Sequence, residues 1–355
     1  MADPKDVLTP FTQTALVNEI KRPNQALRDG LWGQRISLPT ENISYDEISK
    51  GRESAPFVQV GAQAHLVSGH TEKFRELSAT NIRIKKSFSP HLRLFRRRPG
   101  EVIFRPSSDS VVSPFLTHVA RELGQMEDMI RNAEELLCSQ ALQGTISYTV
   151  APDNDVFTVT YPKPAGNNIT LSVFWDDATI ALPTPIQDLH AVKRVFSDEV
   201  GLQPTDCYLG SEAADNLIRL AKGQSLLLDK REVQMGSIDF ASRFADSGLI
   251  FLGTLAGIRF WEYSRTVTLP DGTTTPMIRA KYGEFVSQSP ASERVMYYAA
   301  IPDWTALDGR NIATPRFSKS WDIQDPSSRQ NLVHSRPLPV PRRAGAMVSV
   351  KLVSG

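Results

Sequence analysis

The sequence has two cysteines in 355 residues, Cys138 and Cys207. That is too few for a disulfide framework or a multi-cysteine zinc site, and it fits a reducing compartment. No apolar run approaches the ~20 residues that a membrane-spanning helix needs. The opening MADPKDVLTPF lacks the apolar core of a signal peptide. Net charge is nearly absent: 40 Lys and Arg against 39 Asp and Glu leave +1, with no global pull on nucleic acid or membrane. Also missing are the phosphate-loop, dinucleotide-binding, nucleophile-elbow and zinc-protease motifs, internal repeats and low-complexity tracts. With 41 % hydrophobic and 22 % charged residues, what is left reads as a soluble, intracellular, globular chain. It is long enough for one large domain or two medium ones.

The weak hints of chemistry each have a plainer explanation. Gly210-Ser211 lacks the second glycine of a nucleophile elbow, and Ser211 suits a helix N-cap. Asp176 and Asp177 stand at a strand end before a proline-rich loop, where aspartates commonly cap turns. His65 and His70 lie five apart with no third ligand in sequence reach. Neither cysteine has a histidine close by in sequence. The sequence therefore assigns no catalytic, cofactor-binding or metal-binding residue.

Charge becomes informative by region. Residues 1–105 carry +6, residues 106–142 carry −4, residues 143–309 carry −7 and residues 310–355 carry +6. Two basic ends flank an acidic middle, which suits complementary contacts between copies, although solvated faces would give the same pattern. The densest basic stretch is 83–105, with Arg83, Lys85, Lys86, Arg93, Arg96, Arg97, Arg98 and Arg105 against Glu101 alone. Its few aromatics, Phe88, Phe95 and Phe104, give no base-stacking signal. Pairing between subunits or plain solvation are the ordinary explanations, and contact with DNA phosphates is the less ordinary one.

The order of segments is more telling than any motif. Residues 1–30 read as an arm with too little apolar surface to fold alone. Residues 31–90 read as a long exposed β-hairpin loop, with Ile43 and Tyr45, Phe57 with Val58 and Val60, and Ile82 and Ile84 as its strand signals. The strongest element is a helix over 114–143, with Ser113 as cap, Pro114 at the first position and Gly144 as stop. Its apolar stripe runs Phe115, Val119, Leu123, Met126, Ile130, Ala133 and Leu137. A helix of roughly 45 Å is an architectural spine. Strands follow at 145–150, 156–161 and 169–175, then helices at 187–200 and 211–221 around a short strand at 207–209. A β-rich stretch over 249–267 leads into the hairpin signal Asp271-Gly272, and a closing strand covers 347–353.

This order resembles the lambda-type phage major capsid proteins, a branch of the Hong Kong 97-like capsid fold. The matching pieces are LTPFTQTALVNEI at the start, Ser89-Pro90-His91-Leu92 after the loop, and the spine ending ALQG. Further along are DLHAVKRVF with CYLGSEAADNLI, GIRFWEY with DGTTTP, and SRPLPVPRRAGAMVSVKLV. The resemblance implies an α+β fold: arm 1–30, extended loop 31–90, a peripheral domain from 91–183 and 315–355 with its spine, and an axial α/β domain over 184–314. It implies a non-enzymatic head protein without cofactors that self-assembles into pentamers and hexamers around double-stranded DNA, in the virion and, during assembly, the host cytoplasm. Portal, scaffold and decoration proteins are the implied partners, and no membrane. Two alternatives stay open: a cellular nanocompartment shell of the encapsulin kind, and an α/β hydrolase centred on Ser211 and Asp176 or Asp177.

Overall fold

The computed structural model describes Thr14 and residues 25–47, 57, 61, 63, 73–88, 112–150, 155–177, 183–223, 248–289, 292–303, 311–325 and 328–355. The chain starts with a short helix α1 (Ala26–Gly30), then β1 (Gln34–Ser37), β2 (Asn42–Glu47), β3 (Lys73–Ser78) and β4 (Ile82–Phe88). The spine α2 (Val112–Gln143) precedes β5 (Thr145–Val150), β6 (Asp155–Thr160) and β7 (Asn168–Thr170). Helices α3 (Pro185–Glu199) and α4 (Ser211–Gly223) enclose β8 (Asp206–Leu209). Then come β9 (Leu249–Leu255), β10 (Ile258–Tyr263), β11 (Thr266–Thr268), β12 (Thr274–Pro276), β13 (Tyr282–Val286) and β14 (Arg294–Tyr298). The chain finishes with β15 (Ile301–Pro302), β16 (Asn311–Ile312), β17 (Phe317–Ile323), β18 (Ser328–Ser335), β19 (Pro337–Pro341) and β20 (Met347–Lys351).

The spine forms because its apolar residues recur at helical spacing, and it is stopped by Gly144, whose φ of +94° favours a residue without Cβ. It begins two residues earlier than the sequence suggests, so Ser113 lies inside the first turn. Its first half buries Leu123, Met126 and Ile130 against Val333 of β18, with Ile82 and Ile84 of β4 alongside. Its second half buries Leu137, Cys138, Ala141 and Leu142 in the largest core.

A six-stranded sheet, in the order β7-β20-β13-β8-β10-β9, stands between two layers. Because side chains alternate across a strand, Cys207, Leu209, Phe260, Phe285, Val348 and Val350 face helices α3 and α4. Tyr208, Trp261, Tyr263, Val286 and Met347 face the spine side and join its core. The sheet draws β7 and β20 from the expected peripheral segments and β8, β9, β10 and β13 from the expected axial one. The segments read from the sequence as peripheral and axial thus contribute strands to one sheet.

Within residues 31–90 the described strands are more buried than expected. β2 and β3 do form an antiparallel hairpin, with Ile43 opposite Leu77. Yet Ile43 is 0 % and Tyr45 3 % exposed, built into the main core rather than projecting from it. β1 runs parallel to β14, and β4 pairs with β18. Sparse apolar residues mislead here because a strand with one buried face needs only alternate positions to be apolar. The 256–257 turn between β9 and β10 carried no hairpin signal in sequence, since Ala256 rather than Asn or Asp takes a φ of +52° beside Gly257 at +74°. The Asp271-Gly272 hairpin forms as read, joining β11 to β12, with Asp271 accepting from the Thr273 amide at 2.9 Å.

Candidate functional site: charged seams beside the spine

The spine carries carboxylates on its buried face, and these fasten segments far away in sequence. Glu134, fully buried, accepts from Arg28 Nε of α1 at 2.6 Å and from Arg316 Nη2, just before β17, at 2.8 Å. Arg316 also reaches Glu127 with Nε at 2.6 Å, and Arg131 reaches Asp29 at 3.2 Å. Arg28, Arg131 and Arg316 thus meet Asp29, Glu127 and Glu134 in a paired cluster, with the more exposed Arg35 also on Asp29, and pairing is the condition under which ions tolerate burial. Burial alone would raise the Glu134 carboxyl, but Arg316 and Arg28 overcome it and hold it down at about 2.

Next to it, Glu135 accepts the amides of Leu27 and Arg28 at 2.8 Å each and the hydroxyl of Tyr263 on β10 at 2.7 Å. It supplies acceptors to the first amides of α1, which that helix leaves without an internal partner. Burial pushes its carboxyl up, and these three donors only partly offset that. Thr14 adds a further tie: its hydroxyl donates to the Ser318 carbonyl at 3.2 Å and accepts from the Ser318 amide at 3.0 Å. Regional charge hinted at an acidic spine region between basic ends. That the pairing runs within one chain was not legible, because the partners lie 106 and 182 residues from Glu134.

A second line of buried polar groups lies between the six-stranded sheet and the spine. Asp206 accepts from Trp261 Nε1 at 2.9 Å and Arg259 at 2.8 Å. Glu284 accepts from Arg279 at 2.8 Å and from the Ser349 hydroxyl. Lys163, from the segment after β6, donates to Ser349 Oγ at 2.7 Å and to the Leu142 carbonyl at the spine's C-terminus at 3.1 Å.

The residues weighed for chemistry fall in separate places. Asp176 accepts from the Ser354 amide at 3.0 Å, so it holds the C-terminal residues. Ser211 is the first, exposed residue of α4 rather than its N-cap, a place taken by Gly210. Gly210 is required there because a Cβ would stand 2.2 Å from the Arg279 carbonyl oxygen. Cys138 and Cys207 are buried in different cores, and burial raises both thiols well above their ordinary range. His65, His70 and Arg93 to Arg105 lie outside the described residues. Among the described residues no three His, Cys, Asp or Glu side chains cluster to hold a metal, and no helix is long and apolar enough to cross a membrane.

Of the basic stretch, Lys86 pairs with Glu122 of the spine at 2.7 Å. Arg83 and Lys85 point to the opposite, exposed face of β4, alongside Lys319 and Trp321 of β17. The ammonium of Lys319 lies 5.9 Å from the Trp321 ring centre.

An arm segment strapped to a long spine, a hairpin rooted in its core and a helix-backed sheet define a shell-forming protein of the Hong Kong 97-like capsid fold. A prophage capsid protein of E. coli CFT073 superimposes with a TM-score of 0.67 at 17 % identity, covering 98 % of this chain and 99 % of that one. A phage-related protein of Bordetella bronchiseptica RB50 gives 0.53 at 13 % identity, covering 97 % and 96 %. An encapsulin complex from Synechococcus elongatus PCC 7942 gives 0.45 at 11 %, covering 100 % and 96 %, too distant a likeness to weigh. No curated protein matches the sequence. The family model of phage major capsid protein E matches residues 10–352, and the chain belongs to that family.

Proposed function

We propose that copies of this chain assemble into pentamers and hexamers that close into the icosahedral head of a tailed, double-stranded DNA phage. The family match over residues 10–352 carries this reading. Its physical support is that the described buried charged groups are spent on holding segments together rather than gathered in a cleft. The protein acts without catalysis and without a cofactor. Its partners are further copies of itself, the portal, a scaffold and a decoration protein, with non-specific contact to packaged DNA, and assembly takes place in the host cytoplasm. The axial unit is best drawn around the six-stranded sheet, with α3, α4 and β20 included. The peripheral unit then keeps the spine, β1, β14 and β19, and the β4-β18-β17 sheet.

Negative-stain microscopy of the purified chain tests this. Closed shells or capsomers with five- and six-fold symmetry are expected. A monomer with a reactive serine would favour a hydrolase, and shells filled with an enzyme instead of DNA would favour a nanocompartment.

A further inference from the structure

We propose that Lys163 is a clasp between the C-terminal end of the spine and the six-stranded sheet, and that loss of its proton turns the Ser349 hydroxyl from Glu284 to Lys163 and tightens it. The geometry is a single line of hydrogen bonds. Lys163 Nζ donates to the Leu142 carbonyl at 3.1 Å and to Ser349 Oγ at 2.7 Å, and the Ser349 hydroxyl donates to Glu284. The Leu142 carbonyl belongs to the last turn of the spine, where carbonyls lack helical partners and attract cations. Ser349 and Glu284 are a cross-strand pair on β20 and β13, 2 % and 1 % exposed. The lysine stem packs over Gly144, where a Cβ would meet it at 3.0 Å.

A hydroxyl has one proton to give. While Nζ is an ammonium it has no lone pair, so Ser349 accepts from it and passes its own hydrogen to Glu284. Once Nζ is a neutral amine, with its proton gone to solvent, it offers a lone pair. Ser349 can then turn its hydrogen toward Lys163 and leave Glu284 to Arg279, while a remaining N–H of the amine still donates to the Leu142 carbonyl. The charged groups facing Nζ are Glu284 from β13, which favours the proton, and Arg279 from the segment before β13, which opposes it. From the spine it meets the Leu142 carbonyl, and from β20 the Ser349 hydroxyl. Burial outweighs the attraction of Glu284, and the ammonium is brought down from 10.5 to about 8. Among the described residues no carboxylate touches Nζ directly, which is why the desolvation is not repaid.

The sign of the linkage follows. A cation whose folded pKa lies below its unfolded one burdens the fold while charged, and stability rises as pH climbs from about 8 toward 10.5. The test is reversible unfolding of the full chain from pH 6.5 to 9.5, for wild type and Lys163→Met. Relative to the variant, the unfolding constant of wild type is expected to fall about 25-fold between pH 7 and pH 9.5. Amide exchange in the spine's last turn, after correction for its intrinsic pH dependence, should slow over the same step in wild type alone. Parallel pH curves for the two proteins would overturn the proposal. Should Lys163→Met not fold, Ser349→Ala decides. Without its hydroxyl acceptor the ammonium is harder to keep, so the step must move to lower pH, and an unmoved step would equally overturn it.

Discussion

Arg28 donates through Nε to Glu134 at 2.6 Å, joining the short helix α1 to the spine across 106 residues of chain. Arg316 holds the same carboxylate from the other side. Glu134 is thus the point at which the N-terminal segment, the spine and the β4-β18-β17 sheet are held in one place.

Removing one partner of such a cluster should cost more than the cluster itself contributes. Arg316→Ala leaves Glu127 buried without its cation and Glu134 with Arg28 alone, and is expected to destabilise by about 3–5 kcal/mol, read as a lowered unfolding midpoint. The pH dependence has a definite sign. Glu134 is held at about 2 against an ordinary 4.5, so its contribution is present above pH 4.5 and fades as pH falls toward 2. Wild type should lose about 3 kcal/mol more than Glu134→Gln across that window. Equal losses would show that the pairing does not hold the carboxyl down.

Leu123 is fully buried against Met126, Ile130 and Val333. Leu123→Asp puts an unpaired carboxylate there, and insoluble or unassembled protein is expected. Normal particles from this variant would contradict the role given to the spine.

Gly210→Ala tests a close approach of backbone. The added Cβ would stand 2.2 Å from the Arg279 carbonyl and 2.6 Å from Ala280 Cα, both rigid backbone. The expected cost is about 3 kcal/mol, at the upper end for overpacking. An unchanged melting temperature would mean that the 279–280 segment shifts freely.

Cys138 and Cys207 should resist thiol reagents in the folded protein and react together on unfolding, because burial both shields them and suppresses the thiolate. Fast labelling of Cys207 in the native state would show that the layer between the sheet and helices α3 and α4 opens.

Arg83 and Lys85 are exposed and have no ion-pair partner among the described residues. Reversing both to glutamate should change subunit stability by less than about 0.5 kcal/mol. If they pair with acidic groups of neighbouring copies, the same change should weaken empty particles, and rising salt should weaken wild type likewise. Empty shells that assemble as wild type while filling fails would assign these cations to DNA instead.

The sequence by itself determined the elements whose cause is local. The spine follows from its 3–4 spacing and Gly144, the β11–β12 hairpin from Asp271-Gly272, and the absence of a cysteine framework from counting. Helices α3 and α4 and strands β5, β6 and β8 fell within a few residues of where turn chemistry and periodicity put them. Tertiary structure decided what depends on partners distant in sequence. Ile43 and Tyr45 are core residues only because folding brings β2 into the core that the spine's second half also joins. β20 joins β13 and β7, although about 65 and 180 residues separate their centres along the chain. The charged seams are the clearest case. An arginine at 28, a glutamate at 134 and an arginine at 316 carry no local signature, since the attraction that pairs them acts only after folding has removed the water between them.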